Sequence, residues 1–201
     1  MQKRNGITYR KFHGISAQGM RLWGLAFLLL GAVGYGVFGN ALVPSYGVDA
    51  NGVSLAPLSM LTVGSILQIA YYCAIPIFCF LLVEGVHHTR NPKKYVRRLT
   101  IGMLLSEIPF DLAFFPDGIS WAHQSVMVTL LLGCILVLLM NRSKGFWKLL
   151  WIIPFYFAAE WLRTDYGGEG ILLIALFALA KGTKHEKWWQ LAAMFLLYWD
   201  F

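Results

Sequence analysis

The chain has 201 residues, of which 58% are hydrophobic and only 13% are charged, and its mean hydropathy is +0.59. Soluble globular domains carry about a quarter charged residues, so this composition excludes an ordinary soluble domain and predicts a membrane protein. The formal net charge of +7 would suggest nucleic acid or another acidic partner in a soluble protein. In this chain the positive net charge follows from the positions of the cations on one side of the membrane, and nucleic acid is not an expected partner.

Seven apolar segments are candidates for crossing a bilayer, which takes about 20 residues of helix. In chain order they are Leu22–Val43, Leu58–Val86, Val96–Phe115, Gln124–Met140, Phe146–Leu162, Gly168–Ala180 and Trp188–Phe201. The first is too long for the apolar core of a signal peptide, so we expect it to be an uncleaved helix. The sequence therefore predicts an all-α, polytopic transmembrane bundle of about 7 helices. A basic N-terminal segment (1–21) precedes a single transmembrane domain (22–201).

Three of these segments depart from simple spanning. The second is overlong and contains Pro76, which predicts a kink or an interfacial turn. The fifth and sixth are short, and they fit either two crossings or one re-entrant hairpin.

The lysines and arginines are distributed unevenly between the two sides of this topology. The loops at 44–57 and 116–123 contain none, and 16 of the 17 cations fall in segments that share the opposite side. By the positive-inside rule, that side is cytoplasmic. The N-terminus is then expected in the cytoplasm.

Two acids interrupt the third apolar segment, in the stretch LLSEIPFDLAFF. Asp111 is the fourth residue after Glu107, so the two acids share one helix face. Ionisable residues inside a membrane are costly and usually have a function. They are either functional acids or a polar contact between helices, and both interpretations stay open.

A polar stretch, EGVHHTRNPKKY (84–95), ends the second segment. Glu84 can reach His87 and His88 on one helix face, and a carboxylate beside an imidazole suits a general base. The cations that follow could hold the diphosphate of a coenzyme. The alternative is an ordinary helix end, where basic residues meet water and complement the helix dipole.

A second polar stretch, EWLRTDYGGEG (160–170), separates the fifth and sixth segments. It contains four charged side chains and three glycines. If the two segments form a re-entrant hairpin, this turn must line a cavity, because polar backbone at membrane depth cannot face lipid. If they cross the membrane, it is an outer loop.

The chain resembles the TraX family of bacterial membrane proteins. The stretches that carry the resemblance are IPIFCFLLVEGVHHTRNPKKYVRRL, LLSEIPFDLAF, HQSVMVTLLLG and TDYGGEGILLI, in the family's order. The resemblance implies an inner-membrane protein that draws on acetyl-CoA as co-substrate. It also implies transfer of an acetyl group to an amine or hydroxyl acceptor, such as the N-terminus of a pilin in a conjugation system. No metal is expected, because Glu-x-x-His-His is not a recognised zinc spacing.

The resemblance also implies roles for individual residues. His88 is the expected base, Glu84 orients it, and Glu107 and Asp111 line the path to the acceptor. Of the remaining expected site residues, Arg90 for the coenzyme and Gln124, Asp165 and Tyr166 for the substrate match polar positions of the family. Lys93, Lys94 and Arg97 are expected at the coenzyme site because of their charge.

The chain departs from the family pattern in its first helix. Family members usually carry Ile-Asp-His-Ile-Gly there, whereas the matching stretch is LGAVG, with Gly31 and Ala32 at the Asp and His positions. The chain is also expected to end one helix earlier than the family pattern. Two rival functions follow: an inactive relative that acts as a membrane scaffold or assembly partner, and a small proton-coupled transporter that uses Glu107 and Asp111 as its relay.

Overall fold

A computed structural model describes residues 16–49, 54–114 and 124–197, with the side chains of residues 17, 107–114 and 196–197 outside the description. Every helix or strand element assigned in these ranges is helical, which confirms the predicted all-α class for the described residues. The elements are α1 (Ala17–Val33), a π-helical segment (Gly34–Leu42), α2 (Val43–Ser45), α3 (Leu58–His88), α4 (Pro92–Phe114), α5 (Val126–Arg142), α6 (Trp147–Leu150), α7 (Ile152–Trp161), α8 (Gly167–Ala180) and α9 (Glu186–Leu197).

Two of the described helices are long and apolar enough to cross a membrane. One is the continuous run Gln18–Ser45, and the other is α3 with 31 residues. Pro76 lies buried inside α3, and the helix continues through it to His88. Of the two alternatives that the sequence predicted at Pro76, the interfacial turn is therefore wrong, and the kink stays a prediction.

The first helix and α3 pack antiparallel, and small residues allow their close approach. Gly24 faces Phe78, Gly31 faces Tyr71, and Phe38 faces Gly64. Glycine at such positions lets helix backbones come together where a side chain would hold them apart. At Gly34 the run widens into nine residues of π-helix, an arrangement that is rare and often found at functional sites.

Helix α8 lies at the centre of the packing. It contacts α3, α5, α7 and α9, and the side chains of Ile174 and Phe177 are almost fully buried. A Cβ atom at Gly133 of α5 would overlap the Ile174 side chain, so glycine is what brings α5 against α8. An apolar helix with buried residues on so much of its surface is a core helix of the bundle.

The fifth and sixth predicted segments are shorter than a full crossing. The fifth is divided into α6, with 4 residues, and α7, with 10 residues. The sixth is α8, with 14 residues. None of the three reaches the ~20 residues that a perpendicular crossing needs.

The basic loops meet at one end of the bundle, which we call the basic end (residues 84–98, 142–144 and 181–187). The Lys181 ammonium contacts the Glu84 carboxylate, which joins the C-terminal ends of α3 and α8. Lys93 and Arg97 at the start of α4 share a cavity with Arg142 at the end of α5. The described cations of these loops therefore cluster on one side, as the loop tally predicted.

Candidate functional site

A cavity of about 390 Å³ opens between the π-helical segment, the middle of α3 and the turn from α7 to α8. We call it the tyrosine cavity, because its wall contains five of the nine tyrosines of the chain: Tyr35, Tyr71, Tyr72, Tyr156 and Tyr166. Three carboxylates share the wall: Glu160, Asp165 and Glu169. Aromatic faces and carboxylates around one space suit a ligand that carries an amine or a hydroxyl group.

Tyr71 connects α3 to the turn. Its hydroxyl group donates a hydrogen bond to the Asp165 carboxylate. Its ring stacks on Tyr166, with centroids 5.8 Å apart and planes inclined by 19°, and the Tyr166 hydroxyl donates to the backbone oxygen of Tyr71 at 3.3 Å. Next to this pair, the Tyr35 and Tyr72 hydroxyl oxygens lie 3.0 Å apart. The cavity is thus held together by hydrogen bonds between distant parts of the chain.

The turn between α7 and α8 is fixed by a parallel bridge between Thr164 and Gln124, which lies two residues before α5. Gln124 donates its backbone N–H to Arg163 at 3.1 Å and accepts from the backbone N–H of Asp165 at 2.9 Å. Arg163 adopts a φ of 50°, a left-handed conformation that costs energy for a side chain of this kind. The three predicted substrate residues are therefore brought together: Asp165 and Tyr166 line the cavity, and Gln124 joins through its backbone.

Glu160 and two glycines shape the start of α8. The Glu160 Oε1 accepts the backbone N–H of Gly168 at 2.7 Å, which places a negative charge at a helix N-terminus, where it is stabilising. A Cβ atom at Gly168 would overlap the Tyr156 ring. Gly167 has a φ of 46°, so the Gly-Gly pair lets the chain turn directly under this ring.

The predicted pair of Glu84 and His88 is in contact at the basic end. The His88 Nδ1 lies 3.2 Å from the Glu84 carboxylate and 2.9 Å from the Glu84 backbone oxygen. The His88 side chain is 77% exposed. His87 is exposed too, and no described contact joins it to Glu84.

Sequence reasoning missed the main partner of Glu84. Lys181 contacts Glu84 and lies 3.2 Å from the Glu186 carboxylate. Burial alone would lower the pKa of Lys181, but hydrogen bonds and charge from the two glutamates outweigh burial and raise the pKa. Burial alone would raise the pKa of Glu186, but the Gly182 N–H and Lys181 outweigh it and lower the pKa. Glu84 is therefore shared between a lysine and a histidine.

A second cavity, of about 410 Å³, lies between α4 and α5 at the basic end. We call it the basic cavity. Its cations are Lys93, Arg97 and Arg142, above an apolar floor that includes Ile135 and Leu138. Two of the four predicted coenzyme residues thus line one cavity, and Arg142 is an addition that the sequence analysis did not select.

The other predicted residues lie apart from the two cavities or outside the description. Arg90 and Lys94 are exposed and line neither cavity. The backbone N–H of Lys94 donates to the Asn91 side chain at 3.1 Å, which caps the start of α4. Glu107 and Asp111 are on α4, but their side chains lie outside the described part of the structure. Their catalytic roles stay predictions.

Comparison with known proteins identifies one family. The family model described as "TraX protein" matches residues 48–199. No curated protein and no solved structure matches the chain. The match begins after the first helix, so the departure at Gly31 and Ala32 lies outside it. Together with the two long apolar helices, it indicates a membrane protein. Since the match covers most of the sequence and includes the walls of both cavities apart from Tyr35, the chain belongs to the TraX family.

Proposed function

We propose that this chain is a multi-pass protein of the bacterial inner membrane that transfers an acetyl group from acetyl-CoA to an amine or hydroxyl acceptor. A pilin-like N-terminus presented at the membrane is one such acceptor. Family membership over residues 48–199 is the observation that carries the proposal. The presence of two separate cavities supports it, because acetyl transfer needs one site for a polyanionic coenzyme and another for an acceptor.

The basic cavity is the proposed coenzyme site. Guanidinium and ammonium groups bind phosphate oxygens with charge-assisted hydrogen bonds, and arginine does so in a bidentate manner. Arg97, Arg142 and Lys93 provide these groups. The apolar floor below them suits the less polar part of the coenzyme, which has to extend away from the diphosphate. His88, which the sequence analysis expected to be the base, lies at this same basic end and away from the tyrosine cavity.

The tyrosine cavity is the proposed acceptor site. Asp165 and Tyr166 line it, and the bridge to Gln124 fixes the turn that carries them. Glu107 and Asp111 remain candidates for the path between coenzyme and acceptor. In this arrangement the two substrates approach the transfer point from different cavities.

The α6–α8 region is proposed to be a re-entrant hairpin that enters from the cytoplasmic, basic end. Asp165 contacts Tyr71 and Lys181 contacts Glu84, so the two contacts mark the positions of the turn and of the end of α8 along the axis of α3. The 13 residue steps from Tyr71 to Glu84 correspond to about 20 Å along α3. This is less than the ~30 Å of a hydrocarbon core. A polar turn at that depth has to line a cavity rather than face lipid.

One observation favours the rival scaffold function. The first helix has glycine where the resemblance implies an aspartate, and Tyr71 occupies the space next to it. A chain without its usual reactive pair could retain the fold as an assembly partner. Coenzyme binding separates the two functions, because a scaffold has no need of acetyl-CoA. The transporter alternative would instead appear as proton-dependent flux in sealed vesicles.

Acetyl-CoA binding by the purified protein in nanodiscs tests the proposed coenzyme site. We expect saturable binding, and we expect the double variant Arg97→Gln/Arg142→Gln to bind on the order of 100-fold more weakly, because two charge-assisted contacts are lost. The matched control is Arg98→Gln/Lys144→Gln. It removes the same charge from two exposed positions, one or two residues after Arg97 and Arg142, that do not line the cavity.

Two outcomes of this experiment would contradict the proposal. Absence of wild-type binding at millimolar acetyl-CoA would favour the scaffold function. Equal weakening in both double variants would mean that the coenzyme responds to the overall charge of the basic end and not to the cavity.

A further inference from the structure

We propose that Asp165 is the proton acceptor of the tyrosine cavity and that Tyr71 is the residue that positions it. This inference rests on the proposed acetyl transfer and names the group that activates the acceptor. As the acceptor nitrogen or oxygen forms its bond to the acetyl carbon, its proton passes to the Asp165 carboxylate. The carbon–sulfur bond breaks, and the coenzyme leaves as a thiolate that takes a proton from water. Asp165 then returns its proton to water.

The contacts of the three cavity carboxylates single out Asp165. Glu160 accepts a hydrogen bond from the Gly168 backbone N–H and caps the start of α8. Glu169 is exposed at the surface of the same helix. Asp165 is partly buried and accepts the Tyr71 hydroxyl inside the cavity. It is therefore the carboxylate with both a fixed orientation and access to a ligand in that space.

Tyr71 is built into rigid surroundings, as a positioning residue needs to be. Its side chain is only 5% exposed, in the middle of the longest described helix. Its ring lies against Tyr166 in a stack and against Tyr35 edge-on, with a centroid distance of 5.8 Å in each case. The hydroxyl group therefore stays at one place relative to the α7–α8 turn, and the carboxylate it contacts is held there.

The first helix has a glycine where it packs against Tyr71. A Cβ atom at Gly31 would lie 2.9 Å from the Tyr71 Cα and closer still to the Tyr71 Cβ. No side chain fits at position 31 while Tyr71 keeps its place. The proton acceptor of this cavity thus comes from the α7–α8 turn and is held by α3, not from the first helix.

His88 lies too far from the cavity to take the acceptor's proton there. It is 17 residues after Tyr71 in the same helix, which corresponds to about 25 Å. Among the residues that the structure describes, the other titratable groups that line the cavity with Asp165 are Tyr35 from the π-helical segment, Tyr72 from α3, Tyr156 and Glu160 from α7, Tyr166 from the turn before α8 and Glu169 from α8. None of these groups is a cation, so a neutral amine or hydroxyl acceptor meets a wall of acceptor oxygens and aromatic faces.

Labelling with dicyclohexylcarbodiimide tests the Asp165–Tyr71 pair without any transfer assay. This apolar reagent reacts with protonated carboxyl groups and leaves a stable N-acylurea that mass spectrometry locates. We expect Asp165 to be labelled in wild-type nanodiscs, increasingly as the pH falls. In Tyr71→Phe the pH at which Asp165 labelling is half complete should rise by roughly one pH unit, because the phenol no longer stabilises the carboxylate. Tyr95→Phe, which removes a phenol outside the cavity, should leave the midpoint in place.

The outcomes separate this inference from the proposed function. Absence of labelling at Asp165, or the same midpoint in wild type and Tyr71→Phe, would overturn the pair even if acetyl-CoA binds. A shift in Tyr71→Phe alone supports the pair even if the chain binds no coenzyme. Tyr71→Phe keeps the ring and its stacking, and unchanged thermal unfolding of the variant would show that the shift does not arise from misfolding.

Discussion

Replacing Phe177 with alanine is expected to lower the free energy of unfolding by about 3–4 kcal/mol, the usual cost of removing a buried phenylalanine side chain. Phe177 is 2% exposed and belongs to the cluster in which α3, α5 and α8 pack together. Because α8 touches four other helices, the space left by the ring cannot close without moving several of them. Reversible denaturation in mixed micelles, followed by tryptophan fluorescence, measures the change.

Leu176→Ala is the matched control for this substitution. Leu176 is the preceding residue on the same helix, and its side chain is 38% exposed. A partly exposed leucine leaves no closed cavity, so we expect a loss of about 1 kcal/mol or less. Equal losses in the two variants would show that α8 is not the central helix of the bundle.

Replacing Gly31 with alanine is expected to destabilise the protein by about 2–3 kcal/mol, because one added methyl group overpacks the contact between the first helix and α3. The nearest atoms include the backbone Cα of Tyr71, so rotating a side chain cannot relieve the clash. The helices must separate, and the Tyr71 ring moves away from Asp165. The same denaturation measurement checks the loss of stability.

Gly102→Ala on α4 is the control for the substitution at Gly31. The nearest atom to a Cβ at this position is the Met127 Cε at 3.9 Å, an ordinary contact. Alanine has the higher helix propensity, so we expect this variant to be neutral or more stable by about 0.5–1 kcal/mol. If Gly31→Ala were equally harmless, the close packing of the first helix on Tyr71 would be wrong.

Local patterns in the sequence predicted the parts of the structure that depend on nearby residues. Apolar length predicted α3, and the four-residue spacing of Glu84 and His88 predicted their contact. Both depend on helix geometry alone. At Pro76, where a kink or an interfacial turn was predicted, the turn was wrong because neighbouring helices bury that position, and packing can compensate for the backbone hydrogen bond that proline removes.

Contacts between distant segments could not be predicted from one sequence. Lys181 is 97 residues from Glu84, and Asp165 is 94 residues from Tyr71. Only the packing of α8 against α3 brings these pairs together. Apart from Tyr166, the tyrosines of the cavity were missed for a related reason, since aromatic residues in apolar runs are usually membrane-interface or core residues. The neighbouring Tyr71 and Tyr72 inside a spanning segment were the available signal, because buried phenols need hydrogen-bond partners.

The most direct test of the proposed acetyl transfer follows the acetyl group itself. Membranes that contain the chain would be incubated with acetyl-CoA that carries ¹³C in its acetyl group, and mass spectrometry would locate the label in proteins and small molecules. The account predicts a labelled amide or ester that wild type forms and that Asp165→Asn does not form, although the variant still binds the coenzyme. Wild-type membranes that bind acetyl-CoA but transfer no label beyond membranes without the chain would contradict it.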